Sequence, residues 1–148
     1  MLAPVGAWIA ISPPVGPTLS LPVIILGLSV MLWTCGFDII YACQDIDVDR
    51  KEGLNSIPAQ FGAKGALWIS RFCHSMSVSG LFWFALLQPH LLGQIYFMAV
   101  IVVIVLLIIE HILVWGGKMK RIQMAFATIN GIVSVLLAVA TICDIYIT

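Results

Sequence analysis

Four long apolar stretches, separated by short polar or Pro/Gly-rich connections, set the frame of this chain. Residues 21–43, 66–88, 92–115 and 124–147 each match or exceed the ~20 helical residues that cross the hydrocarbon core of a bilayer, so the pattern predicts four full spans. Residues 1–11 are also apolar but too short to span. They read as the last turns of a helix whose beginning is absent. Ser12–Pro22 (SPPVGPTLSLP) is a Pro/Gly-rich connection in which Pro22 suits a first helical turn. Gln88–Gln94 (QPHLLGQ) reads as a tight turn, and Gly116-Gly117 breaks the run VWGGKMKRIQ. With no internal repeat and no low-complexity tract, the expected fold is all-α. It is a polytopic transmembrane helix bundle of four full spans plus one partial N-terminal span, in a single membrane domain over residues 1–148.

Composition agrees with that pattern. Of 148 residues, 61% are hydrophobic and 9% charged, with a mean hydropathy of +1.10, whereas ordinary globular domains carry about 25% charged residues. So few charges cannot cover a soluble surface of this size. A soluble enzyme, a disordered tail and a nucleic-acid binder, which needs a basic patch, are thereby excluded. The N-terminus MLAPVGAWIAI lacks the basic region of a cleavable signal and is followed by Pro13-Pro14. Cys35, Cys43, Cys73 and Cys143 lie in apolar runs without CxxC spacing and read as small buried hydrophobes.

The net charge is zero, so the positions of the charges carry the information. Arg50, Lys51, Lys64 and Arg71 lie in or beside the connection between the first two full spans, and Lys118, Lys120 and Arg121 between the third and fourth. The other connections carry no Lys or Arg. The positive-inside rule then places both basic connections in the cytoplasm and the C-terminus on the opposite side. The expected location is the bacterial inner (cytoplasmic) membrane, with the Asp-rich end facing the cytoplasm.

Four of the seven acidic residues, Asp38, Asp45, Asp47 and Asp49, sit at that end of the first full span. On a continuous helix, Asp38 to Asp45 is about 20° short of two turns and Asp45 to Asp49 about 40° past one, so these three share a face while Asp47 points roughly 160° away from Asp45. Carboxylates one turn apart repel and are held together best by a cation between them. Hard oxygen ligands suit Mg2+, which takes one or two carboxylates plus waters and substrate phosphates. Arg50 and Lys51, next in sequence, are natural phosphate partners. The alternative is a solvated helix end with ordinary interfacial charges. An EF-hand starting at Asp45 fails, because its sixth and twelfth positions are Arg50 and Ser56 rather than Gly and Glu. The CDP-alcohol phosphotransferase order of Asp-Gly, Ala-Arg and a later Asp pair is not met either.

The stretch YACQDIDVDRKEGLNSIPAQFG (Tyr41–Gly62) closely resembles the second aspartate-rich motif of the UbiA superfamily of membrane aromatic prenyltransferases, in its 4-hydroxybenzoate polyprenyltransferase branch. GFDIIYACQD before it and FATINGIVSVLLAVATICD near the C-terminus are also similar to this family. The resemblance covers essentially the whole chain but only the C-terminal half of the family's usual length. The family's first motif, of NxxxDxxxD type, has no counterpart here, and residues 1–37 contain no acidic residue. The sequence therefore reads as a truncated product, a misplaced start or one half of a split enzyme, inactive alone.

The resemblance implies metal and diphosphate binding at Asp45 and Asp49, a cavity-lining catalytic role for Asp38, and diphosphate contacts from Arg50 and Lys51. It implies a cytoplasmic cap at Asn55, Ser56 and Pro58, where Ser56 could N-cap a short helix with Pro58 as its second residue. The implied reaction moves a polyprenyl group from an allylic polyprenyl diphosphate to an aromatic acid acceptor such as 4-hydroxybenzoate, with Mg2+, for ubiquinone or menaquinone synthesis. Phe72, Trp83, Phe84 and Phe97 could line a tail route, although aromatics on membrane helices more often pack or touch lipid.

Among the remaining polar residues, Glu110 is expected to snorkel or to pair with Lys118 or Arg121. Asn130 and Ser134 are expected to bond between helices, Asp144 to be solvated near the far interface, and Trp115 to join the interfacial aromatic belt. Two other function classes stay open: a transporter or channel fragment with a carboxylate-lined cation site, and a non-catalytic fragment that only packs against other membrane helices. The former predicts carboxylates at mid-membrane depth on more than one helix.

Overall fold

The computed structural model describes residues 2–11, 20–115 and 119–147. Six helices make up the described residues, with no strand among them: α1 (Leu2–Ile11), α2 (Leu21–Ala42), α3 (Ile46–Glu52), α4 (Ile57–Leu87), α5 (Gln94–Val114) and α6 (Met119–Ile147). Three are long and apolar enough to cross a membrane: α2, α5 and the Thr128–Ile147 part of α6. The expected fourth span, 66–88, lies within α4, which is the longest helix but is not among the three. Arg71, His74 and four serines (Ser70, Ser75, Ser77, Ser79) interrupt its apolar run. The expectation of four full spans therefore reduces to three by length and apolarity.

The polar residues of α4 are the reason it packs as it does. Ala66, Ser70, Cys73, Ser77, Leu81 and Ala85 recur at helical spacing and are all buried. Small side chains let two membrane helices approach closely, and this stripe faces α2. Ser70 Oγ donates to the Gly36 carbonyl and Ser77 Oγ to the Ser29 carbonyl, each at 2.8 Å. A Cβ at Gly36 would collide with the His74 ring. Two of the polar groups that lower the hydropathy of α4, the hydroxyls of Ser70 and Ser77, are thus spent in the seam with α2.

Around that seam the core has two ends. Phe37 of α2, Val103 and Leu107 of α5, and Ile129 and Val133 of α6 form the central cluster. Ile40 and Val114 pack together with Leu67 against them, so the C-termini of α2 and α5 share one end with the beginning of α4. At the other end Leu81, Ala85, Leu92, Tyr96 and Val100 close the α4–α5 turn. The 88–93 connection there is the tight turn expected from sequence.

Several expectations are corrected. Asp144 is not solvated: it is 1% exposed, and its Oδ2 accepts from the backbone N–H of Gly93 and of Tyr96, both at 2.8 Å. It caps α5, whose own N-cap residue, Gly93, makes no side-chain bond. Nor does Glu110 snorkel. It is fully buried, with Oε2 3.9 Å from His74 Nδ1, while the positions of Lys118 and of the Arg121 side chain lie outside the described residues. All four cysteines are free, but Cys35 is exposed rather than buried. The Gly116-Gly117 break and most of the 12–22 connection also lie outside the described residues.

Candidate functional site

The acidic stretch does not continue α2. That helix stops at Ala42, and Cys43-Gln44 turn the chain. Asp45 then takes the N-cap position of α3, with φ −104° and ψ 10°. The single face expected for Asp38, Asp45 and Asp49 is therefore broken between Asp38 and Asp45, because the two lie on different helices. Asp45 and Asp49 lie one turn apart on α3: the Asp49 N–H donates to the Asp45 carbonyl at 2.8 Å.

Charge order favours α3 despite its seven residues. Asp47 and Asp49 lie in its first turn and Arg50 and Lys51 in its last, each sign at the end where the helix dipole stabilises it. Gly53 ends it in the left-handed region, φ 69°, which glycine adopts without a Cβ penalty. Leu54 N–H then returns to the Asp49 carbonyl at 2.8 Å.

A closed set of bonds fastens α3 to the start of α4. Ser56 Oγ donates to Asp49 Oδ2 and accepts from the Ala59 N–H at 3.2 Å, so Ser56 is the N-cap, as its sequence position suggests. Arg50 Nε donates to the Ala59 carbonyl at 3.0 Å. Pro58 occupies the second helical position, and Gly62 (φ 70°, ψ 168°) kinks the helix so that 57–61 form a short separate turn. That turn lies beside the carboxylates as a cap.

What these bonds leave over is the chemistry. Asp45 makes no side-chain cap bond and is exposed. Asp49 spends one oxygen on Ser56. Arg50 and Lys51 are exposed, and neither forms an ion pair with a carboxylate among the described residues. The set offers hard oxygens one turn apart beside free cationic donors. That fits Mg2+ held by one or two carboxylates with waters and phosphate oxygens completing the shell. It does not make a closed cage, since no group of three or more metal-ligating side chains occurs among the described residues.

Asp38 is exposed on α2 and borders two hollows. One, about 400 Å³, is walled by Thr34, Cys35, Ile57 and Pro58. The other, about 270 Å³, lies toward α6 and is lined by Trp33, Phe37, Asn130 and Ser134. Trp33 and Ser134 also border a larger apolar hollow of about 460 Å³ that includes Leu26, Leu81, Phe84 and Leu137. Among the four aromatics considered for a tail route, Phe84 lines this interior space, Phe72 and Trp83 are exposed, and Phe97 packs on Phe82 with centroids 5.1 Å apart. Asn130 and Ser134 line the smaller of the two hollows beside Asp38.

A second polar cluster lies between α4 and α5, away from the carboxylates. His74 Nδ1 and His111 Nε2 are 3.1 Å apart, and Glu110 lies behind them. Arg71 is held between Trp68 and Trp115, its guanidinium carbon 5.0 and 4.4 Å from the ring centroids. Sequence reasoning missed these groupings because His74 and His111 are 37 positions apart and no local spacing joins them.

Against known proteins, the profile of the UbiA prenyltransferase family matches residues 1–140. Over 65 residues the sequence is 38% identical to a protein of Arabidopsis thaliana named 4-hydroxybenzoate polyprenyltransferase, mitochondrial. That alignment covers 44% of this chain and 15% of the relative, so the chain matches a minor part of that protein's length. No solved structure matches the chain.

Proposed function

Because this chain belongs to the UbiA prenyltransferase family, we propose that its α3 turn is the diphosphate-binding half of a membrane prenyltransferase acting on a polyprenyl diphosphate and an aromatic acid such as 4-hydroxybenzoate. The observation that carries the proposal is the Asp45–Asp49 pair, one turn apart and flanked by Arg50 and Lys51, with no ion pair consuming either sign among the described residues. Unpaired charges of both signs side by side suit a ligand that brings its own counter-charges: a diphosphate with its cation.

In this reading Asp45 and the free oxygen of Asp49 hold Mg2+, which when bound supplies Lewis-acid neutralisation of the departing diphosphate. Arg50 and Lys51 donate to phosphate oxygens. Ser56 fixes the Asp49 rotamer, and the 57–61 turn shields the site from water that would hydrolyse an allylic cation. The allylic C–O bond breaks, the diphosphate leaves with the cation, a ring carbon of the acceptor bonds to the prenyl carbon, and the ring loses a proton that Asp38 takes in this reading. The 270 Å³ hollow beside Asp38 suits the acceptor. The 460 Å³ hollow beyond Trp33 and Ser134 suits the first part of the tail. The Asp-rich end faces the cytoplasm.

Binding of an unreactive allylic thiolodiphosphate to the purified full chain in detergent tests this. Retention should require Mg2+ and fall away in Asp45→Ala and Asp49→Ala. Equal retention by wild type and both variants overturns the site. The transporter reading gains little from the structure. Of the two buried carboxylates among the described residues, Asp144 is spent on a helix cap, leaving only Glu110 for a cation path.

A further inference from the structure

A hollow of about 780 Å³ lies away from the carboxylates, in the outer seam between α4 and α5. Its wall on α4 carries Trp68, Arg71, His74, Ser75 and Val78, and the facing wall carries Ile104, Ile108 and His111 of α5 with Trp115 just beyond it; His74 and His111 bond to each other across the floor. The spacing orders these by chemistry. Along α4 the face runs from Lys64 through Trp68 and Arg71, past the neutral polar His74 and Ser75, to Val78, cationic and aromatic first and apolar last. Along α5 it runs the opposite way, from Ile104 to Trp115. Since the start of α4 and the end of α5 share one end of the bundle, both gradients point the same way.

At the polar end sits a cation with nothing to neutralise it. Arg71 makes no ion pair among the described residues. Its guanidinium lies between two indoles, which fix the plane of the group and leave its edge N–H donors for an anion. Trp68 and Trp115 are 66% and 63% exposed, as expected of side chains at the level of lipid headgroups. Lys118, Lys120 and Arg121 follow Trp115 within six residues of sequence. An occupant must therefore be anionic at one end and hydrocarbon along the rest.

We infer that the α4–α5 groove is a binding site for an anionic phospholipid. Its phosphate sits against Arg71 between Trp68 and Trp115, and one acyl chain lies along Val78, Ile104 and Ile108. The site is separate from the diphosphate site and does not depend on that assignment, because the groove contains none of Asp38, Asp45 or Asp49.

Tryptophan quenching by tail-brominated lipids tests it. The full chain is reconstituted in phosphatidylcholine vesicles containing a minor fraction of brominated phosphatidylglycerol or, separately, brominated phosphatidylcholine. The anionic lipid should quench preferentially, with about a fivefold preference in apparent affinity, as one interfacial cation confers. The preference should vanish in Arg71→Gln, persist in Arg71→Lys, and shrink in the wild type as salt is raised. Equal quenching by the two headgroups, or a preference unchanged by Arg71→Gln, overturns the proposal. So does loss of the preference on adding millimolar inorganic phosphate, which would assign Arg71 to a free anion. Should Arg71→Gln fail to fold, the salt series on the wild-type chain decides the matter.

Discussion

Where α4 turns into α5, Asp144 is buried and both its hydrogen bonds go to backbone N–H groups of the α5 first turn. At the opposite end Asp45 is exposed and its side chain caps nothing, although it occupies the N-cap position of α3. The same side chain is used in opposite ways. A buried carboxylate is tolerated only when its charge is matched by oriented donors. The helix N-terminus supplies both the N–H groups and the positive dipole end. Asp144 thereby converts a costly charge into a clamp between α6 and α5. Asp45 forgoes a bond that would stabilise α3, and what it retains is two free oxygens beside Arg50 and Lys51. One end of the bundle is closed in its hydrogen bonding, and the other is open to a ligand.

The sharpest way to break that comparison is to exchange roles by mutation. Asp45→Ala should cost on the order of 10²–10³-fold in prenyl transfer, measured in membranes that express the chain. Its unfolding midpoint should move little, because no bond is lost. Asp144→Ala should do the reverse. It orphans two buried donors and should cost about 3 kcal/mol in a denaturant titration in detergent, with Asp144→Asn losing less. If Asp45→Ala destabilises the chain as much as Asp144→Ala does, the distinction between the ends is wrong.

The open end was far more legible in the sequence than the closed one. Asp45, Asp49, Arg50, Lys51 and Ser56 are close neighbours in the chain, so helical spacing and capping preference sufficed to group them. Asp38 was misplaced relative to them because the turn at Cys43-Gln44 carries neither Gly nor Pro. Asp144 meets Gly93 across 51 positions, and a terminal Asp in an apolar run looks the same whether it faces water or a helix end. By length and apolarity α4 also falls outside the three helices that could span. Two of the serines that make it polar, Ser70 and Ser77, are bonded to carbonyls of α2, a pairing visible only once the two helices are side by side.

That seam holds the two ends in register, and Gly36→Ala probes it. The new methyl would meet the His74 ring, which is packed against Phe37 at 4.8 Å and His111 at 5.1 Å between centroids and would have to break those contacts to shift toward the α4–α5 hollow it lines. Overpacking of this kind costs about 1–3 kcal/mol, read as a lowered unfolding midpoint. A neutral result would mean that α2 and α4 slide past each other easily, and that the carboxylate end is not positioned by the rest of the bundle.

The smallest expected effect discriminates most finely, because it falls on the residue that serves both structure and site. Ser56 caps α4 through the Ala59 N–H and holds Asp49 through its hydroxyl proton. Ser56→Ala removes an N-cap, worth about 1 kcal/mol in stability, and releases the Asp49 carboxylate to rotate. Loss of an orienting partner behind a metal ligand weakens metal affinity by about tenfold or more, so Mg2+-dependent thiolodiphosphate binding should drop by that factor. Ser56→Thr, which keeps the hydroxyl, should restore both. If Ser56→Ala lowers stability but leaves the Mg2+ dependence untouched, the bond to Asp49 merely fastens two helices, and the burden of metal binding falls on Asp45 alone.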